Sequence, residues 1–284
     1  MKLYKTTGEI FLEHEDKFYL LHEDWDKLIN HSDLYSWLLT KTDQSVEMDE
    51  ESLLKQKTVV APIGGQEVWA AGVTYMRSRE ARMEESKDSG GANFYDKVYE
   101  ADRPELFFKS LPHRVAGPGQ DVYIRKDSTW NVPEPELALF INKLGQIQGY
   151  TVGNDMSSRS IEGENPLYLP QAKTYERSAA LGPCLYVPEA KIHPEALITM
   201  CIFRKDEMVY KDSVSISRMK RTHTELAGFL FREMDFAMGV FLMTGTCLVP
   251  PNEFTLNEED RVDISIQGIG HLINRVVFNP GSRS

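Results

Sequence analysis

Residues 133–155 read Pro-Glu-Pro-Glu-Leu-Ala-Leu-Phe-Ile-Asn-Lys-Leu-Gly-Gln-Ile-Gln-Gly-Tyr-Thr-Val-Gly-Asn-Asp, the pattern of two strands around a turn. Side chains alternate across a strand, so Glu134, Glu136 and Ala138 fall on one face and Leu137, Leu139 and Ile141 on the other. Lys143-Leu144-Gly145 supplies the turn, and Gln146 to Asp155 is the return strand. With Leu144-Gly145 as the two loop residues, position i pairs with 289 − i, which sets Glu134 opposite Asp155. A four-residue loop from Asn142 to Gly145 shifts the partners but keeps the parity. In either register Glu134, Glu136 and Asp155 project from the same face, whereas an odd-length loop without a bulge would split them.

Three carboxylates on one face repel one another. Such a cluster persists if it is solvated, if one carboxyl keeps its proton, or if a cation sits among them. Hard oxygen donors with no Cys or His beside them suit Mg²⁺, Mn²⁺ or Ca²⁺, and do not suit Zn²⁺. The competing reading is an amphipathic strand with a solvated acidic outer face. Glu-x-Glu alone in an acidic chain leaves both open, and the matching parity of Asp155 strengthens the first.

The chain around this hairpin has 284 residues, 41% of them hydrophobic, enough for one large domain plus a small one, or for two of middling size. Net charge is −11, from 32 basic and 43 acidic side chains, and no basic run appears, which argues against nucleic acid as a partner. A small anionic substrate is still admissible, because a bound divalent cation reverses the local potential. Cys184, Cys201 and Cys247 are odd in number and widely spaced, which argues against a disulfide framework or a thiolate metal site. The N-terminus lacks an apolar signal core and no stretch reaches membrane-spanning length, so a cytoplasmic protein with no membrane partner is expected.

Residues 1–62 are expected to form a small N-terminal α/β cap domain, and residues 63–284 a larger, β-rich domain. In the cap, Glu9 to Leu21 alternates around Glu15-Asp16 like a hairpin. Trp25, Leu28 and Ile29, then Leu34, Trp37 and Leu38, follow helical spacing, and both tryptophans fit a core or a subunit contact better than a binding platform. Ala61-Pro62-Ile63-Gly64-Gly65 interrupts both patterns and marks the boundary. Beyond it, Val68 to Tyr75 reads as a buried strand. Met76 to Lys87 and Phe94 to Ala101 read as helices around Ser89-Gly90-Gly91, either a mobile lid over residues 76–102 or two solvated helices.

Asp121 to Arg125 reads as a strand, and Met156 to Ala180 as a largely irregular segment, the kind that tends to carry function. Strands are expected over Cys184 to Val187, Leu197 to Arg204, Glu207 to Asp212, Val262 to Ile266 and Gly268 to Phe278, with one amphipathic helix from Thr222 to Met238. Met243-Thr244-Gly245-Thr246 reads as a strand-end turn, either an ordinary one or one that presents hydroxyls and amides to an anion. The seven histidines are dispersed, and His113, the nearest to the motifs, fits a surface position better than a ligand.

Over residues 66–280 the chain resembles the fumarylacetoacetate hydrolase superfamily. The motifs are Arg103-Pro104-Glu105-Leu106-Phe107-Phe108-Lys109, Glu134-x-Glu136-Leu137-Ala138, Gly149-Tyr150-Thr151 with Asn154-Asp155-x-Ser157-x-Arg159, Leu181-Gly182-Pro183, Thr244-Gly245-Thr246 and Gln267-Gly268-Ile269-Gly270. The resemblance implies an α+β fold, a β-rich mixed roll carrying Mg²⁺ on Glu134, Glu136 and Asp155, and a homodimer or homotetramer. Hydrolases and decarboxylases of the family follow the first strand's Asn-Tyr with a His three residues on and a Glu six on. Here Tyr75 is followed by Ser78 and Ala81.

The chain is similar instead to the sugar-acid dehydratase branch, through Tyr95-Asp96-Lys97-Val98-Tyr99-Glu100-Ala101, Glu164-Asn165-Pro166-Leu167-Tyr168-Leu169-Pro170-Gln171 with Lys173, and the short link from Thr246 to Pro250. Where that branch reads Ser-Ala-Arg-Asp, this chain has Ser157-Ser158-Arg159-Ser160. The implied activity is Mg²⁺-dependent dehydration of a 2-keto-3-deoxy sugar acid such as 2-keto-3-deoxy-D-arabinonate to 2,5-dioxopentanoate in pentose degradation. Lys173 and Glu105 are the implied acid–base pair, with Lys173 taking the C3 proton, its pKa lowered beside the metal, and Glu105 protonating the leaving hydroxyl, or with the two roles exchanged. Thr246, Gly245, Arg159, Ser157 and Lys109 are the implied substrate contacts. A C–C bond hydrolase or oxaloacetate-type decarboxylase on the same scaffold is the alternative, and a non-catalytic sugar-acid binder the third reading.

Overall fold

The computed structural model of the chain describes residues 1–42, 47–48, 58–76 and 97–281. Beyond Met76, the helix expected from Met76 to Lys87 lies outside the described residues, as do the Ser89-Gly90-Gly91 break, Ser78 and Ala81. Of the second expected helix, the stretch 97–100 is described and is helical.

In chain order the first strands are β1 (Lys2–Lys5), β2 (Ile10–His14) and β3 (Lys17–Leu21), followed by helices α1 (Trp25–Ile29) and α2 (Leu34–Thr42) and the short β4 (Glu47–Met48). Then come β5 (Glu67–Gly72), β6 (Glu105–Ser110), β7 (Val115–Ala116), β8 (Asp121–Ile124) and β9 (Asn131–Val132). The central pair is β10 (Pro135–Ile141) and β11 (Ile147–Asp155), leading to β12 (Ser157–Ser158), α3 (Arg159–Glu164), α4 (Leu169–Lys173) and β13 (Ala179–Tyr186). The chain closes with β14 (Leu197–Arg204), β15 (Glu207–Ser215), α5 (His223–Leu230), β16 (Val240–Met243), β17 (Arg261–Ile266) and β18 (Gly270–Phe278).

An eleven-stranded sheet runs in the order β4-β3-β2-β1-β13-β11-β10-β16-β5-β6, with β7 beside β13, and a five-stranded sheet runs β15-β14-β17-β18-β8. This is the expected α+β, strand-rich architecture. Residues 1–62, expected as a cap, contribute β1 to β4 to the large sheet, with β1 pairing directly to β13 through Lys2↔Tyr186 and Leu3↔Leu185. The Glu15-Asp16 hairpin turn forms as expected, both residues taking positive φ of 50° and 61°.

The large sheet is buried on both faces. Leu137, Leu139 and Ile141 of β10 meet Ile198, Met200, Val262 and Ile264 of the second sheet in one core. Ala138 and Phe140, on the other face, join Leu28, Ile29, Leu34 and Leu38 of α1 and α2 in a second core. All seven residues of β10 are therefore buried, which explains a strand reading as a near-continuous apolar run after its two glutamates. Trp25 is buried in that second core and Trp37 packs beside it.

Two sequence expectations change. The segment 156–180 is not irregular: α3, a 3₁₀ turn (Pro166–Tyr168) and α4 occupy most of it. Pro166 and Pro170, which read as breakers, sit in first turns, where the missing N–H has no intrahelical partner to lose. The helix expected from Thr222 to Met238 starts with a Thr222/Glu225 capping box but ends at Leu230. Phe236 is buried by turning back onto Phe231, with ring centroids 5.1 Å apart, rather than by continuing the helix.

Candidate active site

The β10–β11 pairing obeys the 289 − i rule from Pro135↔Asn154 to Phe140↔Gly149, although the loop is not the two-residue one that suggested it. Asn142 N donates to Gln146 O across Lys143-Leu144-Gly145, a three-residue loop whose Gly145 has φ +76°. An odd loop shifts parity by one. The shift is cancelled at Gln148, which is unpaired between Phe140↔Gly149 and Ile141↔Ile147. Loop and bulge together return Glu134, Glu136 and Asp155 to one face, and Asp155 N donates to Glu134 O at 2.9 Å.

Each of the three side chains offers an oxygen, and these oxygens lie within 4.8 Å of one another. Glu134, Glu136 and Asp155 are 4%, 1% and 1% exposed, so the solvated acidic face that competed with a metal site does not exist. Oxygens at the ~2.1 Å that Mg²⁺ prefers stand about 3–4 Å apart around the ion, so this spacing fits one hard divalent cation. Burial first, then the charges of Asp155 and Glu134, push the Glu136 carboxyl well above the usual carboxylate range, and this repulsion is what a cation would relieve.

The cavity lies at one edge of the large sheet, where β11, β16 and β5 end and β10 and β6 begin. It is lined by the three carboxylates, Gly72, Val73, Phe107, Arg159, Lys173, Gly245 and Thr246. Lys173, at the end of α4, is fully buried and donates to Glu134 Oε2 at 2.6 Å, Asp155 Oδ2 at 3.2 Å and Ser157 Oγ at 2.5 Å. The Phe107 ring lies 5.9 Å from the Lys173 ammonium. Arg159 Nη2 donates to Glu134 Oε1 at 2.5 Å, so both oxygens of Glu134 are held. Gly245, at φ +94°, turns its amide onto Glu136 Oε2 at 2.6 Å. The strand-end turn thus presents a backbone donor to a carboxylate of the protein itself. Thr246 Oγ1 accepts from Leu248 N at 3.2 Å and keeps its own proton to donate.

Two residues expected among the substrate contacts are otherwise engaged. Lys109 is the extra residue of a bulge between β5 and β6, where Trp69 pairs with Phe108 and Val68 with Ser110. Its buried ammonium lies 2.5 Å from Asp155 Oδ1, donates to Met156 O at 3.0 Å and donates to Lys173 O, which uses its three N–H bonds. Ser157 gives its proton to Asp155 O at 2.9 Å and accepts from Lys173. Both therefore hold the site's own groups. Burial works against ionising Asp155, but Lys109 and Lys173 outweigh it and hold its pKa below the ordinary value. Ser160, standing where the resemblance leads one to expect Asp, faces Ser128, 2.8 Å between hydroxyl oxygens.

Glu105 opens β6 opposite Gly72, a residue of the cavity wall, and is not itself among the residues that line the cavity. Its Oε2 is buried and, among the described residues, without a hydrogen-bond partner. Arg221 Nη1 donates to Asp102 O at 2.9 Å and its Nη2 to Ala101 O at 2.5 Å, which ties down the backbone just before the Arg103-Pro104-Glu105 run. Sequence reasoning gave Arg221 no role, because nothing local marks a side chain that reaches back 119 residues.

Residues 68–277 match the model for the fumarylacetoacetate (FAA) hydrolase C-terminal domain, and the chain belongs to that family. Within it the chain is 47% identical over 236 residues to a probable 2-keto-3-deoxyxylonate dehydratase of Haloferax volcanii, covering 83% of this chain and 80% of the relative. It is 40% identical over 241 residues to the 2-dehydro-3-deoxy-D-arabinonate dehydratase of Saccharolobus solfataricus, covering 82% and 81%. A solved 2-keto-3-deoxy-D-arabinonate dehydratase complexed with magnesium and 2,5-dioxopentanoate superposes with a TM-score of 0.84 at 34% identity, over 98% of this chain and 99% of that one.

Proposed function

We propose that the protein is a Mg²⁺-dependent hydro-lyase that dehydrates a 2-keto-3-deoxy sugar acid, 2-keto-3-deoxy-D-arabinonate (the same compound as 2-keto-3-deoxy-D-xylonate), to 2,5-dioxopentanoate and water in pentose degradation. The observation that carries the reading is the Nζ of a buried lysine within 3.2 Å of two of three converging, buried carboxylates. The similarity to dehydratases at 47% and 40% identity supports it.

Glu134, Glu136 and Asp155 would hold the Mg²⁺, whose positive charge beside a 2-keto acid draws electrons from the C2 carbonyl and acidifies C3. Lys173, in its free-amine form, takes a C3 proton at Nζ. Glu105 gives a proton to the C4 hydroxyl, the C4–O bond breaks, a C3=C4 double bond forms and water leaves. A proton then moves from C5 to C3, the double bond shifts to C4=C5, and the resulting enol ketonises to the C5 aldehyde. Lys109, Ser157 and Arg159 keep the carboxylates and Lys173 in place, the backbone amide of Gly245 orients Glu136, and Thr246 donates its hydroxyl proton to the substrate carboxylate. Self-association as a homodimer or homotetramer, and a cytoplasmic location in keeping with three free cysteines, complete the proposal.

One assay tests it. Purified protein with Mg²⁺ and 2-keto-3-deoxy-D-arabinonate should release aldehyde, and Lys173→Ala should lower kcat by about 10³-fold or more. Pyruvate or carbon dioxide as the product would assign the chain to C–C cleavage or decarboxylation instead, and binding without turnover would make it a sugar-acid binder.

A further inference from the structure

We propose that Gly72 is a positioning residue of the reaction: the absence of a side chain at the end of β5 lets the Glu105 carboxyl lie across the strand against the wall of the cavity. This inference rests on the reading of Glu105 as the proton donor. Gly72 and Glu105 are direct cross-strand partners. The φ of Gly72 lies outside the left-handed region, so the backbone there does not require glycine. Space does. A Cβ on Gly72 would stand 2.6 Å from Glu105 Cδ and closer still to Oε2, whereas ordinary contact begins at 3.4 Å. Directly opposed side chains usually stand side by side; here one folds over the empty position of the other.

The direction of that fold matters. Gly72 lines the same cavity as Glu134, Glu136, Asp155 and Lys173, so a carboxyl lying over it stands against the wall of that cavity. Glu105 Oε2 is buried there without a partner among the described residues, a costly state for a carboxylate oxygen unless a substrate hydroxyl completes it. An alanine at this position would force the carboxyl back by about 1 Å, a displacement sufficient to cost about 10²-fold in a proton-transfer step.

The test is a mutant cycle on the Mg²⁺-loaded enzyme with 2-keto-3-deoxy-D-arabinonate, with Mg²⁺ affinity read separately by calorimetry. Gly72→Ala should lower kcat about 10²-fold, with KM and the Mg²⁺ Kd within about 3-fold of wild type. Glu105→Gln should be slow by itself, and adding Gly72→Ala to it should cost less than about 3-fold more. Gly72→Ala/Glu105→Asp, which shortens the side chain by one methylene, should be faster than Gly72→Ala. Equal losses from Gly72→Ala in the wild-type and Glu105→Gln backgrounds, or a matching loss of Mg²⁺ affinity, would overturn the assignment of Gly72 while leaving Glu105 in its role. Wild-type turnover by Glu105→Gln would overturn both. If Gly72→Ala is insoluble, the Gly72→Ala/Glu105→Asp protein decides: soluble and active supports the proposal, insoluble overturns it.

Discussion

The two halves of the cavity are held in place by different means. The acidic half, Glu134, Glu136 and Asp155, is set by backbone register: the β10–β11 ladder, one loop and one bulge place three carboxylates on one face. The half that carries Lys173 and Glu105, the proposed acid–base pair, is set by reach. Lys173 comes from a five-residue helix, Glu105 from the start of β6, and Lys109, also on β6, ties the two segments together by binding Asp155, Met156 O and Lys173 O, the last two 47 and 64 residues further along the chain. Register is a local property with a period of two, and a single-residue error moves every side chain. Reach depends on side-chain bonds between distant segments, each of which can weaken by itself.

The sharpest way to break this comparison is at the bulge. Deleting Gln148 leaves a three-residue loop with nothing to cancel it, which turns Asp155 away from Glu134 and Glu136. It also removes the bonds from Gln148 to Leu34 N and Ser32 O. We expect loss of soluble protein, or soluble protein with no thermal response to Mg²⁺. A glycine inserted between Leu144 and Gly145 restores an even loop and should recover that response in part. Recovery without the insertion would show that parity is not what sets the acidic half.

Next in size is Lys109→Met, which removes one of the two buried cations beside Asp155 and leaves its Oδ1 without a partner. We expect a loss of about 3–5 kcal/mol in urea unfolding. Lys173 should also be displaced, seen as a fall in kcat larger than any change in KM. A variant with full activity would mean that Lys173 is held by α4 alone.

The acidic half by itself is probed by the metal. The Glu136 pKa is raised, so without a cation its ionisation costs stability that is lost as pH rises through the folded value. Mg²⁺ needs the ionised form and relieves the repulsion. Saturating Mg²⁺, at about 100 times Kd, should add about 2.7 kcal/mol and raise Tm by about 5 °C near pH 7.5, and clearly less near pH 5. An equal shift at both pH values would place the metal elsewhere.

The smallest effect tests the hairpin away from the cavity. His223 packs on Tyr150 of β11, ring centroids 6.0 Å apart, and burial pulls its pKa from 6.5 down to about 4. The unfolded chain takes up the proton first, so stability is full above about pH 6.5 and falls as pH drops towards 4. Between about pH 7.5 and pH 5, wild type should lose about 2 kcal/mol more than His223→Phe in urea unfolding.

These contrasts also mark how far the residues could be read directly. Glu134, Glu136 and Asp155 were legible because alternation is written in the order of residues, and the inferred register held through Phe140 even though the loop beneath it has one residue more than supposed. Lys173 and Glu105 were legible only through resemblance to a family, since no periodicity links positions 68 residues apart. Lys109 and Ser157, expected as substrate contacts, bind groups of the protein itself, because whether a polar group faces a ligand or a neighbour depends on what packs around it. The helices of 159–173 were hidden by prolines whose position in the first turn, not whose presence, decides their effect.

Chain order by itself determined the strand-rich fold class and the side of the sheet on which three carboxylates gather, since both follow from local repeats of apolar and polar residues. Only the tertiary structure decided that this side is buried, that Gln148 corrects the loop, that Lys109 braces the lysine beside the acids, and that Gly72 makes room for Glu105. Those outcomes depend on which segments meet in space, and meeting is settled by packing across the whole chain rather than by any stretch of it.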